Sequence, residues 1–252
     1  MAVHAQAGAL STLVVCAVDA EAVAVVGAHP HEHVRLGPLS GRRLHTGAGV
    51  VDVVASGVGP AHAAAATATA LAHGGHALVL NIGVAGTFSG GGAVIGGLVV
   101  GDRLVAADLG VLAPTGYLGV ETLGFGHCLG AYDTPPALAD ALVTRLSATG
   151  RPVARGTVLT LSSFTGTDAR AAELVTQHAA VAEAMEGTGV ATAAALVGVP
   201  AAEVRAISNL VGDRDREAWR LPEALAALTL AGAALLAAAL PVPVPVSEAP
   251  AA

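Results

Sequence analysis

The chain has 252 residues, of which 54% are hydrophobic, 12% charged and 2% aromatic, and it carries a formal net charge of −7. That is enough apolar material for one large domain, with a core built from small and branched aliphatic side chains. The acidic balance and the absence of any basic run argue against nucleic acid and anionic membrane surfaces as partners.

Short apolar runs alternate with Ala-rich stretches along the chain. The first residues lack a basic region and a clear cleavage site, so they do not read as a signal peptide. LVVCAV (13–18) reads as the first strand and VVDVVASG (50–57) as the second, followed by a helix over PAHAAAATATALAHG (60–74). HALVLNIG (76–83) is a strand, GLVVGDRLVAADL (97–109) strand material with a turn, and PALADALVTRLSATG (136–150) a helix capped near Gly150. ARGTVLTLS (154–162) is a strand and ARAAELVTQH (169–178) a helix. AVAEAME (180–186) and AEVRAIS (202–208) are strands joined by the helix GTGVATAAALVG, and the last helix lies beyond residue 219. This alternation predicts an α/β fold: one three-layer domain over 12–240 around a central mixed, mostly parallel sheet. The ends, 1–11 and 241–252, are expected to be flexible.

Several segments carry no chemistry on this reading. Cys16 and Cys128 match no metal or redox spacing and read as buried thiols in a reducing, cytoplasmic setting. His29, His31 and His33 surround Pro30 in an expected loop and read as solvated, so neither a metal nor a cofactor is expected. Residues 224–240 are uncharged, but they are short for a bilayer and lack interfacial anchors; they read as a buried helix. GVGPAHA (57–63) fails as a dinucleotide fingerprint because Pro60 and His62 interrupt it, which leaves a tight strand-to-helix turn.

In sheets of this kind ligands bind beyond the carboxyl ends of the strands. Those ends carry Asp19 and Glu21; Asn81 to Phe88; Ser163, Phe164 and Thr165; Glu186; and Asn209, Asp213, Arg214 and Asp215. A parallel crossover from 180–186 to 202–208 would bring Glu186 and Asn209 to one edge. The set suits cleavage of a purine–ribose bond, which passes through an oxocarbenium-like transition state. Glu186 can accept from the ribose diol with Met185 under the sugar, Asn209 can hydrogen-bond the purine, and Phe164 can stack on it. Asp19 or Glu21 can orient and deprotonate a water. Singly, these residues read as well as a helix-terminal acid, a turn residue, a core ring and a helix cap; their joint placement favours a site.

Two segments, AEAMEGTGVATAA (182–194) and VRAISN (204–209), resemble the paired motifs of the purine nucleoside phosphorylase/nucleosidase family. LNIGVAGTF (80–88) resembles its NxGxAG loop, and SGVGPAHAA (56–64) its strand–turn–helix; the likeness runs over most of 12–235. The resemblance implies a nucleoside phosphorylase/hydrolase-like fold, a nucleoside as small-molecule substrate, and a homo-oligomer in which a neighbouring subunit often completes the pocket. It gives Glu186 the ribose and Phe164 the base. Gly83, Val84, Ala85, Phe88, Thr165 and Met185 become further substrate contacts.

Two departures refine the expectation. Where hexameric phosphorylases carry a phosphate-binding Arg and Ser, this chain has Asn81 and Val84, so water is the expected nucleophile. Where adenine-specific nucleosidases carry Asp, it has Asn209, whose amide suits a 6-oxopurine; a mismatched buried polar pair discriminates by roughly tenfold to a hundredfold. AVDAEA (17–22) and the run 206–225 resemble a branch of the family that hydrolyses a 6-oxopurine nucleoside bearing a 5′-linked aromatic acid. Glu21 is the recurring acid of that branch, and Tyr117, within 107–126, is the expected contact for the aromatic acid. Either Glu21 or Asp19 can activate water. The alternatives are a nucleosidase of the methylthioadenosine/S-adenosylhomocysteine type, a phosphorylase drawing phosphate ligands from Arg35, Arg42 or Arg43, and a non-catalytic nucleoside-binding protein.

Overall fold

The computed structural model describes residues 11–114, 116–125, 129–213 and 215–242. Most of the two ends expected to be flexible, together with Cys128 and Arg214, lies outside the described residues.

Apolar runs form the central strands. In β1 (Ser11–Cys16), Leu13 and Val15 face one way and Val14 and Cys16 the other, and all four are fully buried. A strand covered on both faces has no polar side to show, which is why the run lacks alternation. β2 (Glu32–Leu36), β3 (Leu39–Thr46) and β4 (Gly49–Ala55) follow, with helix α1 (Asp19–Val26) between β1 and β2. Helix α2 (Pro60–Gly74) leads to β5 (Leu78–Thr87) and β6 (Leu98–Ala106). The small hairpin β7 (Gly110–Ala113) and β8 (Gly116–Gly119) precedes β9 (Ala131–Asp133). Then come α3 (Pro136–Ser147), β10 (Val153–Thr160), α4 (Asp168–His178), β11 (Ala180–Ala184), α5 (Gly187–Leu196), β12 (Ala201–Leu210) and α6 (Leu221–Leu236).

The main sheet runs β11-β10-β6-β12-β5-β1-β4-β3-β2. β11 also pairs antiparallel with β5, so β5, β12, β6, β10 and β11 close into a ring. Helices α1, α3 and α6 cover one face through Ala22, Val25, Leu138, Leu142, Leu228 and Leu235. Helices α2 and α5 cover the other through Ala63, Ala70, Val190 and Ala194. The result is the expected three-layer α/β fold with a mixed sheet. Each such Leu or Val contributes about 1.5–3 kcal/mol when fully buried. Helix α6 buries Ala224, Ala227, Leu228, Ala231, Leu235 and Leu236, and among the described residues no helix is long and apolar enough to cross a membrane.

Two expectations are corrected. The segment around the histidines is not all loop: β2, which contains His33, pairs antiparallel with β3, and β3 with β4. Arg, His and Glu on this pair hide its strand character, and such charges blunt an exposed sheet edge. The step from β11 to β12 is not a parallel crossover either. β12 runs parallel to β5 and β11 antiparallel to it, because the sheet closes on itself rather than staying open.

Candidate active site

Ring closure still brings the two strands together. Glu183 of β11 and Asn209 of β12 both register with Gly86 of β5, from opposite sides. The chain beyond Glu183 runs back along β5, so Glu186 arrives at the level of Gly83, which registers with Arg205. There the Arg205 Nη2 lies 3.2 Å from Glu186 Oε2. The three steps from Gly83 to Gly86 span about 10 Å of strand, comparable to a nucleoside.

Over this stretch lies a cavity of about 170 Å³ lined by Ala17, Val18, Glu21, Val58, Val84, Ala85, Gly86, Phe164, Thr165, Glu183, Ala184, Met185, Glu186, Ser208, Asn209 and Trp219. Of the sequence candidates, Glu21, Val84, Ala85, Phe164, Thr165, Met185, Glu186 and Asn209 therefore meet in one cavity. A larger groove of about 690 Å³ adjoins it at Asn209.

Glu21 sits in the first turn of α1, 3% exposed. Its Oε2 accepts the N–H groups of Ala17 (2.9 Å) and Val18 (3.2 Å), and its Oε1 accepts that of Val84 (2.8 Å). Three N–H donors hold the carboxyl in one orientation. Gly83 lies beneath rather than in the cavity wall: a Cβ there would stand 2.6 Å from Arg205 Nη1 and 2.8 Å from Glu21 Oε1. Its role is to let those two groups approach the strand.

Glu186 is equally buried. Its Oε1 accepts the N–H of Gly59 at 3.1 Å, in the tight turn that opens α2. Gly59 has φ +98°, a conformation that L side chains rarely adopt. Behind Glu186, the fully buried Arg205 donates through Nε to Glu203 Oε1 (2.6 Å), through Nη2 to Asn81 Oδ1, and through Nη1 to the Val84 carbonyl (3.4 Å). Burial opposes the guanidinium charge, but Glu203, Glu186 and Glu21 outweigh it and hold the pKa above its usual value. Burial pushes the Glu203 and Glu183 carboxyls up from theirs. Asn81, also donating to the Val15 carbonyl at 2.9 Å, is committed to this network and does not line the cavity.

At the other end, Phe164 and Trp219 meet edge-to-face with ring centroids 6.4 Å apart. The Asn209 side chain is oriented by Ser208, whose hydroxyl donates to Oδ1 (2.8 Å), and by the Leu210 carbonyl, which takes one Nδ2 proton (2.8 Å). The second Nδ2 proton has no partner among the described residues.

Three candidates fall elsewhere. Asp19 lies only two residues before Glu21, which on a helix turns it away; its side chain is 70% exposed and pairs with Arg42 at 2.8 Å. Phe88, just beyond β5, is 1% exposed and packs with Val105, Leu159 and Val211, bordering the larger groove rather than this cavity. Tyr117 lies on the β7–β8 hairpin, in a separate recess with Arg103, Glu121 and His178. The arginines of the phosphorylase alternative are also engaged away from the site: Arg35 with Ser40, Arg42 with Asp19, Arg43 with Asp52. The described lining contains three carboxyls and no basic side chain. No group of three His, Cys, Asp or Glu among the described residues is placed to hold a metal ion.

Sequence reasoning missed Trp219, Glu183, Ser208 and Arg205. Trp219 is the single Trp of the chain, a signal in a sequence with 2% aromatics. Glu183 and Arg205 are charges within largely apolar strands, and such residues are almost never buried without a partner.

Residues 11–241 match the family model described as Phosphorylase superfamily. The chain belongs to the phosphorylase superfamily. The superfamily match spans every strand of the closed ring and every residue lining the cavity. Among curated relatives, the chain is 47% identical to a futalosine hydrolase of Streptomyces coelicolor, covering 86% of this chain and 91% of that protein. It is 44% identical to a futalosine hydrolase of Acidothermus cellulolyticus, covering 90% of each. The superfamily fold is also seen in the native structure of futalosine hydrolase of Helicobacter pylori, with a TM-score of 0.76 at 20% identity over 90% of this chain and 96% of that one.

Proposed function

We propose that this protein is an N-glycosidase that hydrolyses futalosine, releasing hypoxanthine and dehypoxanthine futalosine in menaquinone biosynthesis. The identity to futalosine hydrolases over nine-tenths of the chain supports the substrate. The observation that carries the reaction is a cavity holding oriented carboxyls, an amide and two aromatic rings with no basic side chain in its described lining.

On this reading Glu186 accepts from the ribose diol, Met185 packs under the sugar, and Phe164 and Trp219 enclose the purine. Water attacks the anomeric carbon as the bond to purine N9 breaks, and its proton passes to Glu21. The bonding electrons leave with the base. The free Asn209 N–H donates to the purine at N7 or O6, where negative charge develops. A phosphate dianion would meet three carboxyls here, which disfavours phosphorolysis.

The deciding measurement is hypoxanthine release from futalosine with and without phosphate. Equal rates are expected. Release only with phosphate, with a sugar 1-phosphate as co-product, overturns the hydrolase reading.

We further propose a homo-oligomer in the cytoplasm. Leu112 on the β7–β8 hairpin and Phe125 and Leu129 beyond it are 84%, 70% and 57% exposed, apolar side chains that a neighbouring subunit would cover. Cys16 is a buried free thiol, as a reducing compartment maintains. Sedimentation at a monomer mass would remove the first proposal; an oxidised Cys16 in protein taken from the cell would remove the second.

A further inference from the structure

Glu183 is unexplained by the roles assigned so far. It is 4% exposed and lines the cavity. Its Oε1 accepts the Thr165 N–H at 3.1 Å, next to the Phe164 ring. Its Oε2 is buried and has no hydrogen-bond partner among the described residues. A buried carboxyl with one empty oxygen is costly unless a ligand completes it. No basic side chain in the described lining does so, and Arg205 is committed to Glu203, Glu186 and Asn81.

The register gives the level of Glu183 along the site. Glu183 and Asn209 flank the same residue, Gly86, about 10 Å along β5 from the level of Glu186 and Gly83. With the sugar at Glu186, the base lies between Glu183 and Asn209. A 6-oxopurine presents adjacent polar groups on its six-membered ring: the O6 acceptor and the N1–H donor. Asn209 has a free N–H and suits an acceptor; Glu183 has a free oxygen and suits a donor.

We propose that Glu183 is a base-reading residue whose free carboxyl oxygen accepts the N1–H of a bound 6-oxopurine. A 6-aminopurine has a lone pair at N1 and leaves that oxygen unsatisfied, so Glu183 and Asn209 select the same class of base from two sides. Burial holds the Glu183 pKa above its usual value, and an N–H donor on Oε2 favours the ionised form. The inference rests on the cavity holding a purine nucleoside.

The test compares binding of hypoxanthine and 1-methylhypoxanthine, which lacks the N1–H, to the wild type, Glu183→Leu and Glu183→Gln, alongside hypoxanthine release from futalosine. The wild type is expected to prefer hypoxanthine by about tenfold to a hundredfold. Glu183→Leu should lose most of that preference by weakening hypoxanthine alone, whereas Glu183→Gln, which keeps a carbonyl oxygen, should retain much of it. A wild type indifferent to N1 methylation overturns the assignment without any variant. So does a Glu183→Leu protein that keeps the preference, or that loses both ligands equally. If the wild type shows the Glu183-dependent preference yet releases no hypoxanthine from futalosine, the hydrolase reading falls and the base-reading role stands. If it hydrolyses futalosine while Glu183→Leu keeps the preference, only the base-reading role falls.

Discussion

Arg205 and Glu186 form a solvent-excluded ion pair, Nη2 to Oε2 3.2 Å, in which the arginine side chain is 0% and the glutamate 4% exposed. The same guanidinium also serves Glu203. Replacing it with an apolar residue leaves two buried carboxylates without their counter-charge. Arg205→Leu is expected to destabilise the protein by about 3–5 kcal/mol, read from urea denaturation. Arg205→Lys, which keeps the charge but not the fork of donors, should fall between the two. A Leu variant as stable as the wild type would show that the network does not support the fold.

Glu21 and Asp19 separate cleanly in the structure, and so should their variants. Glu21→Gln keeps the shape but loses the proton acceptor, and its amide cannot accept all three backbone N–H groups now bound. A fall in kcat of roughly 10²–10⁴-fold is expected. Asp19→Asn removes only an exposed ion pair with Arg42 and should change kcat less than twofold and stability by about 0–1 kcal/mol. The readout is hypoxanthine release under saturating substrate; the opposite pattern would transfer the base role to Asp19.

Asn209→Asp tests the reading of the base from its other side. A carboxylate in place of the amide has no N–H for a 6-oxo oxygen, but it can accept from a 6-amino group. Relative kcat/KM for futalosine against its 6-amino analogue should shift toward the amino compound by about tenfold to a hundredfold. An unchanged ratio would mean that Asn209 does not read the base.

Much of this was legible because local pattern and strand order carry it. The 60–74 helix has the sequence-expected bounds, since Pro60 can occupy the first turn and Gly75 can cap the end in the left-handed region. Glu186, Asn209, Phe164 and Glu21 were legible as strand-end or early-helix residues. Three things were not. The antiparallel β11–β5 pairing joins segments about a hundred residues apart, and no local period encodes it. The aim of a side chain on a helix depends on rotation about its axis, which separated Glu21 from Asp19. Phe88 and Tyr117 were assigned by neighbourhood in the chain, whereas their rings follow the core and a hairpin. The cavity's third acid, Glu183, falls in the middle of the expected 180–186 strand, where a strand-end rule does not look, but β11 ends at Ala184, one residue beyond it.

At the other edge of the sheet, acid sensitivity is built into a buried cluster. Asp52 of β4 is fully buried and accepts from Arg43 Nε and Nη2, both at 2.8 Å, and from the His76 Nε2 at 2.9 Å. Burial pushes its carboxyl up, but Arg43 and His76 outweigh that and bring the pKa down to about 2. In the unfolded chain an Asp titrates near 4. The folded pKa is the lower one, so this group's contribution is present in full above pH ~4. It is lost progressively as pH falls from about 4 through about 2, and it amounts to roughly 2 kcal/mol. Urea denaturation of the wild type and of Asp52→Asn across pH 6 to 2.5 isolates it, because all other carboxyls are common to both proteins. The stability gap between the two should be constant above pH ~5 and narrow steadily below pH ~4. A gap that stays constant down to pH 2.5 would show that the Asp52 charge contributes nothing to stability.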